Sequence, residues 1–369
     1  MYSKDIAALK TNPEICQGQN AVNWQALAQA NCNWLSDYGL FLGAPNNQHQ
    51  VTPPGRLYEL NSALFTDHAR KYRYLFIPDG QRIEFKHRDA FEFPLGSVLV
   101  KVFALPTTLT NTEANTQSAS DERVVEVRLQ IKRTNGWVLL PYVWHPQSQD
   151  AYLHLSGKVL HHEYNVIDQT LSTSTQASLG FDYEVPAASR CQLCHQQGER
   201  FTPIGPKARH LNRRIHYDGQ THEQLQLWQA QGLLNDLPDD LSGLDTAPNW
   251  QDANAPLQAR AKAYLDINCA HCHSDEGSAA LSGLRLEYWR KDIDYLHGVC
   301  NSSHGWRGGG FDIWPGDGAA SSITRRMSMS EAKDRMPPVG RTLTDHAAVT
   351  LIQQWIDQMP YQDCEDYGL

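Results

Sequence analysis

Several things are scarce in this chain, and each shortage narrows the field. No apolar run approaches the roughly 18 residues a bilayer-spanning helix needs, so no transmembrane segment is expected. Basic residues do not predominate: 32 Lys and Arg stand against 41 Asp and Glu, a formal net charge of -9. That balance disfavours nucleic acid as a main partner, because binding by counterion release needs a basic footprint. Met1 to Lys10 contain no apolar core of the kind a secretory signal carries. Either a signal has been removed and Met1 added, or the natural start lies upstream. Methionine is rare, with Met1, Met327, Met329, Met336 and Met359 making up the five, and none falls between Cys191 and Cys269. Charge is not extreme either, at 20% charged against 41% hydrophobic residues, a globular rather than a disordered balance. A length of 369 residues implies two or three domains.

Of the eight cysteines, four belong to Cys191-Gln-Leu-Cys194-His195 and Cys269-Ala-His-Cys272-His273. Cys-x-x-Cys-His is the spacing of covalent haem c attachment. Two thiols add across the two haem vinyl groups, and the next residue, a His, becomes the proximal iron ligand. Two haems are therefore expected, held by Cys191, Cys194 and His195 and by Cys269, Cys272 and His273. Zinc is the first competitor, but the gap between the pairs far exceeds the roughly 15 to 20 residues of zinc ribbons. Zinc also gives no reason for a His directly after each pair. A thioredoxin-like site is the second competitor, and neither pair follows a strand of a βαβ unit. The remaining Cys16, Cys32, Cys300 and Cys364 read as two disulfides in an oxidising compartment, most economically Cys16–Cys32 and Cys300–Cys364, with four buried thiols as the alternative.

Met336, in Arg335-Met-Pro-Pro-Val-Gly340, is assigned as distal ligand of the second haem, because the two following prolines stiffen its loop. Met327 and Met329 are the fallbacks. The first haem has no thioether in its own segment. Its sixth position is left open among His210, His216, His222, His145, His154, His161 and His162, or a vacancy. Lys207, Arg209, Arg213 and Arg214 follow the first motif and read equally as partners of haem propionates or as a solvated basic loop. Lys101 and Arg128, inside strand candidates, pose the same question. His271 has no assigned role and is expected to be exposed.

The first half of the chain reads as β-structure. Tyr72 to Ile77, Val98 to Leu105, Val124 to Ile131 and Trp137 to Val143 are strand candidates, and Val124 to Ile131 alternates like a strand with one wet face. Asn135-Gly136 signals a hairpin, and the polar stretch from Thr107 to Ser120 an exposed loop. The fold class expected is α+β and multi-domain: an arm over 1–49 with a short helix at Trp24 to Ala30, an antiparallel β-sandwich-like domain over 50–185, a first haem segment over 186–250 and a second haem domain over 251–369. The haem-bearing half is expected to be all-α, cytochrome c-like, with helices at Glu223 to Leu234 and Pro256 to Asn268. A closing helix capped by Thr344 is expected to bury Ala348, Leu351, Ile352, Trp355, Ile356 and Met359.

Beyond the motifs, Leu60 to Phe65, Gly96 to Lys101, Pro186 to His195, Gly205 to Arg209, Asn268 to His273, Pro315 to Asp317 and Arg335 to Pro338 give the chain a resemblance, from about residue 35 on, to an uncharacterised family of bacterial diheme c-type cytochromes. A similar module looks to be fused to some PQQ-dependent sugar dehydrogenases. The resemblance implies an exported, periplasmic or envelope electron-transfer protein with redox protein partners: a dehydrogenase as donor, a cytochrome or oxidase as acceptor. The alternative is a diheme peroxidase or oxidase using an open first haem. A third reading makes the β-half a docking module.

Overall fold

The computed structural model describes residues 11–43, 50–110, 121–168 and 175–367. Met1 to Lys10, and residues 111–120 of the expected polar loop, lie outside the described residues. The strand candidates are all strands. β1 (Arg56–Tyr58), β2 (Arg70–Phe76), β4 (Val98–Pro106), β6 (Glu122–Arg133), β7 (Gly136–His145) and β8 (Asp150–Leu153) form one antiparallel sheet in the order β1-β2-β4-β6-β7-β8. Val, Leu, Ile and aromatic side chains fill its central strands because they fit a pleated, buried surface. The β6–β7 turn lies one residue before the Asn-Gly pair: Arg133 pairs with Gly136, leaving Thr134 and Asn135 as the loop.

A second sheet joins β10 (Thr175–Val185), β9 (Lys158–Asp168) and β5 (Thr108–Thr110). β5 runs parallel to β9, so this sheet is not purely antiparallel, and it uses residues read from the sequence as loop. Tyr164, Phe181, Tyr183 and Val185 pack it against Leu105 and Val143 of the large sheet. On one face of the large sheet lies the N-terminal arm, with α1 (Trp24–Gln29) capped by the Asn23 side chain. Ala26, Leu27, Leu35 and Tyr38 there meet Val100, Leu129, Leu140 and Tyr142. The Arg133 guanidinium bonds the Leu27 and Ala30 carbonyls, and Cys16–Cys32 closes the arm as a disulfide.

The expected all-α half is not there. Beyond residue 186 the described helices are α2 (Gln192–His195), α3 (Ala208–Leu211), α4 (Gln224–Ala230), α5 (Leu257–Asn268), α6 (Ser322–Ser328) and α7 (His346–Asp357). The longest have 12 residues. Between them lie small ladders: β11 (Gln196–Gln197) with β12 (Arg200–Phe201), β13 (Arg214–Tyr217) with β14 (Gln220–Glu223), and β15 (Leu234–Asn235) beside β3 (Ile83–Glu84). Among the described residues strand outweighs helix. The physical reason is local. Helical periodicity holds over α5 and α7, but Gly- and Pro-rich segments separate them, and Asp218-Gly219 turns a hairpin with both residues at positive φ (51° and 73°).

α5 starts after Pro256 as expected, and every residue from Ala261 to Asn268 is buried. α7 is capped by Asp345, which accepts from Ala348 N, rather than by Thr344; its buried stripe is Ala348, Leu351, Ile352, Trp355 and Ile356. Met359 packs partly buried against that same core. α5 and α7 share this core with Ile313 and Met327, and Cys300–Cys364 is a disulfide. Ile204, Leu211, Trp228 and Ile267 pack against Leu75, Leu99 and Trp137 on the second face of the large sheet. The first motif is thereby set against that face.

Candidate functional site

The first motif occupies a 3-10 turn, Ala188–Cys191, running directly into the single turn of α2, which ends on His195. One helical turn is what brings Cys191, Cys194 and His195 to a common side. The His195 ring is stacked on Phe201 at 5.1 Å, and its Nδ1 lies 2.9 Å from the Thr202 carbonyl. A carbonyl only accepts, so Nδ1 carries the proton and Nε2 keeps its lone pair. Burial first, then the Lys101 charge, holds the imidazole neutral by pushing its pKa well below the ordinary value.

The second motif follows α5 without a break: Cys269 N bonds the Leu265 carbonyl and His273 N the Cys269 carbonyl. His273 Nδ1 lies 2.9 Å from Ser282 Oγ, and burial lowers this imidazole to about 4. Both histidines are thus neutral, oriented through Nδ1, and able to offer Nε2 to a metal. Burial raises the Cys191 thiol to about 11 and Cys269 to about 12.

Although 74 residues separate Gln197 from His271, its side chain bonds the His271 carbonyl. Cys272 Sγ donates to the Leu193 carbonyl at 3.0 Å, Ser278 Oγ to the same carbonyl at 2.6 Å, and Gly198 N to Glu276 O at 2.8 Å. The two motifs therefore lie side by side. Ligand atoms of Cys194, His271 and Cys272 fall within 4.8 Å of one another. Hydrogen bonding with Cys272 holds the Cys194 thiol well above its ordinary range. His271, expected at the surface, is buried; no periodicity in Cys-Ala-His-Cys-His announces which side of so short a turn will be covered.

A cavity of about 600 Å³ opens beside Cys194 and His271, lined also by Trp137, Phe201, Ile204 and Lys207. The sheet face next to it is the surprise. Glu126, Arg128 and Gln130, the expected wet side of β6, point inward, and Glu126 and Gln130 are buried. Gln130 Nε2 stands 3.4 Å from His195 Nε2. Arg73, Lys101 and Arg128 occupy one cross-strand row on β2, β4 and β6. Burial, reinforced by Arg73 and Arg128, depresses the Lys101 amine to about 7.

The histidines left open as sixth ligand are mostly occupied elsewhere. His210 is buried with its Nε2 on the Asp266 carboxylate, which also takes the Arg209 guanidinium through two bonds of 2.8 Å. His145 meets Ser148, His161 meets Asp182 and His162 lies by the Pro106 carbonyl. His154 packs edge-on against Tyr152, while His216 and His222 sit on the β13–β14 hairpin. Of the basic loop, Arg209 is internal, Arg213 pairs with Glu59 at 2.7 Å, Arg214 is exposed, and Lys207 lines the cavity.

Met336 N bonds the Arg326 carbonyl at 3.0 Å, and the Arg341 guanidinium donates to the carbonyls of Met327, Met329 and Met336. Arg326 is close enough to His273 for its charge to weigh on that imidazole, so the Met336 loop and the second motif share this neighbour. Met327 is taken up by the core, whereas Met336 is half-buried and belongs to none of the described core clusters.

No described helix is long and apolar enough to cross a membrane. Comparison of the chain with protein-family models, with curated proteins and with solved structures gives no match.

Proposed function

We propose that this chain is an exported c-type cytochrome with two covalently attached haems, carrying electrons between redox proteins in the bacterial periplasm or envelope. The observation that carries the reading is the paired site: two Cys-x-x-Cys-His turns side by side, each ending on a neutral histidine anchored through Nδ1. The donor set fits haem. Cys191, Cys194, Cys269 and Cys272 would make the thioether links, His195 and His273 would supply the proximal imidazoles, and Met336 the second haem's distal thioether. Bound haem would supply a one-electron iron couple. Thr202 fixes the His195 tautomer, Ser282 orients the His273 ring, and surrounding burial keeps both imidazoles neutral. Two disulfides in the described structure support an oxidising compartment.

Zinc fits less well. The cluster of Cys194, His271 and Cys272 offers three ligands where a structural zinc site takes four, and it leaves Cys191, Cys269 and both anchored histidines without a purpose. Donor and acceptor are proposed by class only: a dehydrogenase upstream, a cytochrome or oxidase downstream.

One observation favours a second reading, a diheme peroxidase or oxidase. The sheet face against His195 presents Gln130, Lys101 and Arg128 rather than a thioether or a described histidine. Electronic and magnetic spectra of the purified protein in both oxidation states test the two. Low-spin iron at both centres with no carbon monoxide binding supports the carrier. A high-spin first centre that binds carbon monoxide supports the enzyme, and zinc without iron on metal analysis refutes both.

A further inference from the structure

Three neighbouring strands place Arg73, Lys101 and Arg128 directly opposite one another, and Lys71 follows in the next row beside Phe103 and Glu126. Like charges paired across strands repel, and burial deepens the cost when no anion answers them. Among the described residues, the one carboxylate in these strand rows is Glu126, and both its oxygens are engaged: the Arg128 guanidinium takes Oε1 and, at 2.9 Å, Oε2, while the Tyr183 hydroxyl donates to Oε2 at 3.0 Å. Asp67, whose charge reaches Lys71, is held by Thr342 and by Leu343 N. Glu59, whose charge reaches Arg73, is ion-paired with Arg213. The Lys71 ammonium donates to the Leu64 carbonyl. Among the described residues no carboxylate lies within ion-pair distance of Lys71, Arg73 or Lys101.

The row also overlooks the first motif. Gln130, one row further along β6, meets His195 Nε2. The charges of Lys101 and Arg128 reach His195, Cys191 and Cys194. We propose that Arg73 and Lys101, flanked by the Glu126-paired Arg128, form an anion site built into the first centre, taking carboxylate or small oxyanion groups on the Nε2 side of His195. The proposal rests on the haem reading of that centre. The same chemistry has two sources, the propionates of the haem attached at Cys191 and Cys194, or a free oxyanion admitted to this face. Lys101 and Arg128 are then positioning charges, and the covered polar face of β6 is explained as the wall of a site.

The test uses the full haem-loaded protein and the variants Lys101→Met and Lys101→Arg. Loss of this positive charge favours ferric iron, so Lys101→Met is expected to lower the first haem's midpoint potential, leave the second unmoved and reduce thermal stability. Lys101→Arg is expected to restore all three. Titration with inorganic phosphate separates the sources. A saturable shift of the Soret band, weakened about tenfold or more by Lys101→Met, identifies a free oxyanion. An unresponsive band together with the lowered potential identifies the propionates. Unchanged potentials in Lys101→Met, with stability raised by removal of an unanswered charge and no response to phosphate in the parent, overturn the proposal. Haem-free protein would instead sink the reading beneath it, and intact mass tells the two failures apart.

Discussion

Replacing Asp266 by Asn removes the charge on which the buried part of the haem-bearing half converges. Asp266 lies in α5, three residues before Cys269, and its side chain has no exposure; Arg209 keeps 2% and His210 1%. Its carboxylate accepts from Arg209 twice, pairs with His210 and accepts from Tyr288 N at 2.9 Å. Burial alone would raise its pKa, but the Arg209 and His210 interactions outweigh that and hold it well below the carboxylate range. Asn can keep the Tyr288 bond but strands the guanidinium without a counter-charge, which costs about 3 to 5 kcal/mol for a fully buried pair. Urea unfolding followed by far-ultraviolet circular dichroism measures it. In a cycle with Arg209→Met, the double variant is expected to lose less than the sum of the singles, because the stranded charge goes too. A folded-state pKa below the unfolded one contributes stability above the ordinary carboxylate value of about 3.9 and loses it as pH falls through the depressed value. The parent is therefore expected to weaken on acidification by a component that Asp266→Asn lacks. A loss under about 1 kcal/mol, or full additivity with Arg209→Met, would refute the reasoning.

Three further outcomes follow from the same geometry. Cys300→Ser with Cys364→Ser opens a link spanning 64 residues and is expected to cost about 4 kcal/mol in urea unfolding; because that link encloses Met336, the thioether-to-iron absorption band should weaken as well, and an unchanged band contradicts the account. Ser282→Ala removes the oxygen that holds His273 Nδ1. The imidazole becomes a poorer donor, and the second haem's potential is expected to rise by the equivalent of about 0.5 to 1 kcal/mol, checked by spectroelectrochemistry. Arg341→Met cuts the guanidinium from the carbonyls of Met327, Met329 and Met336. It is expected to destabilise by about 2 to 3 kcal/mol and to bleach the thioether band before global unfolding in a urea titration.

What the sequence disclosed follows from how strongly each signal is local. β2, β4, β6 and β7 were legible because runs such as Val98 to Leu105 have few other uses, and α5 and α7 because their apolar positions keep the helical period. The all-α expectation failed because it allowed only helices and loops beyond residue 186 and missed the short ladders among them, of which the Asp218-Gly219 turn was a readable warning. Alternation in β6 was read correctly as two faces, but alternation says nothing of what covers the polar one. Here the first motif covers Gln130 and Tyr183 of the second sheet meets Glu126, so both are interior and Arg128 is half-buried. Likewise, nothing in the spacing of Cys191 and Cys269 foretells that their motifs touch. That proximity is long-range and belongs to the packing of α5 against the sheet.

The intact mass of the protein, produced with an export signal in a host competent for haem attachment and recovered folded, tests the central claim most directly. The account predicts a species heavier than the bare polypeptide by two haem groups, falling to one when Cys191 and Cys194 are both replaced by Ser. A folded chain at the mass of the polypeptide alone would contradict it.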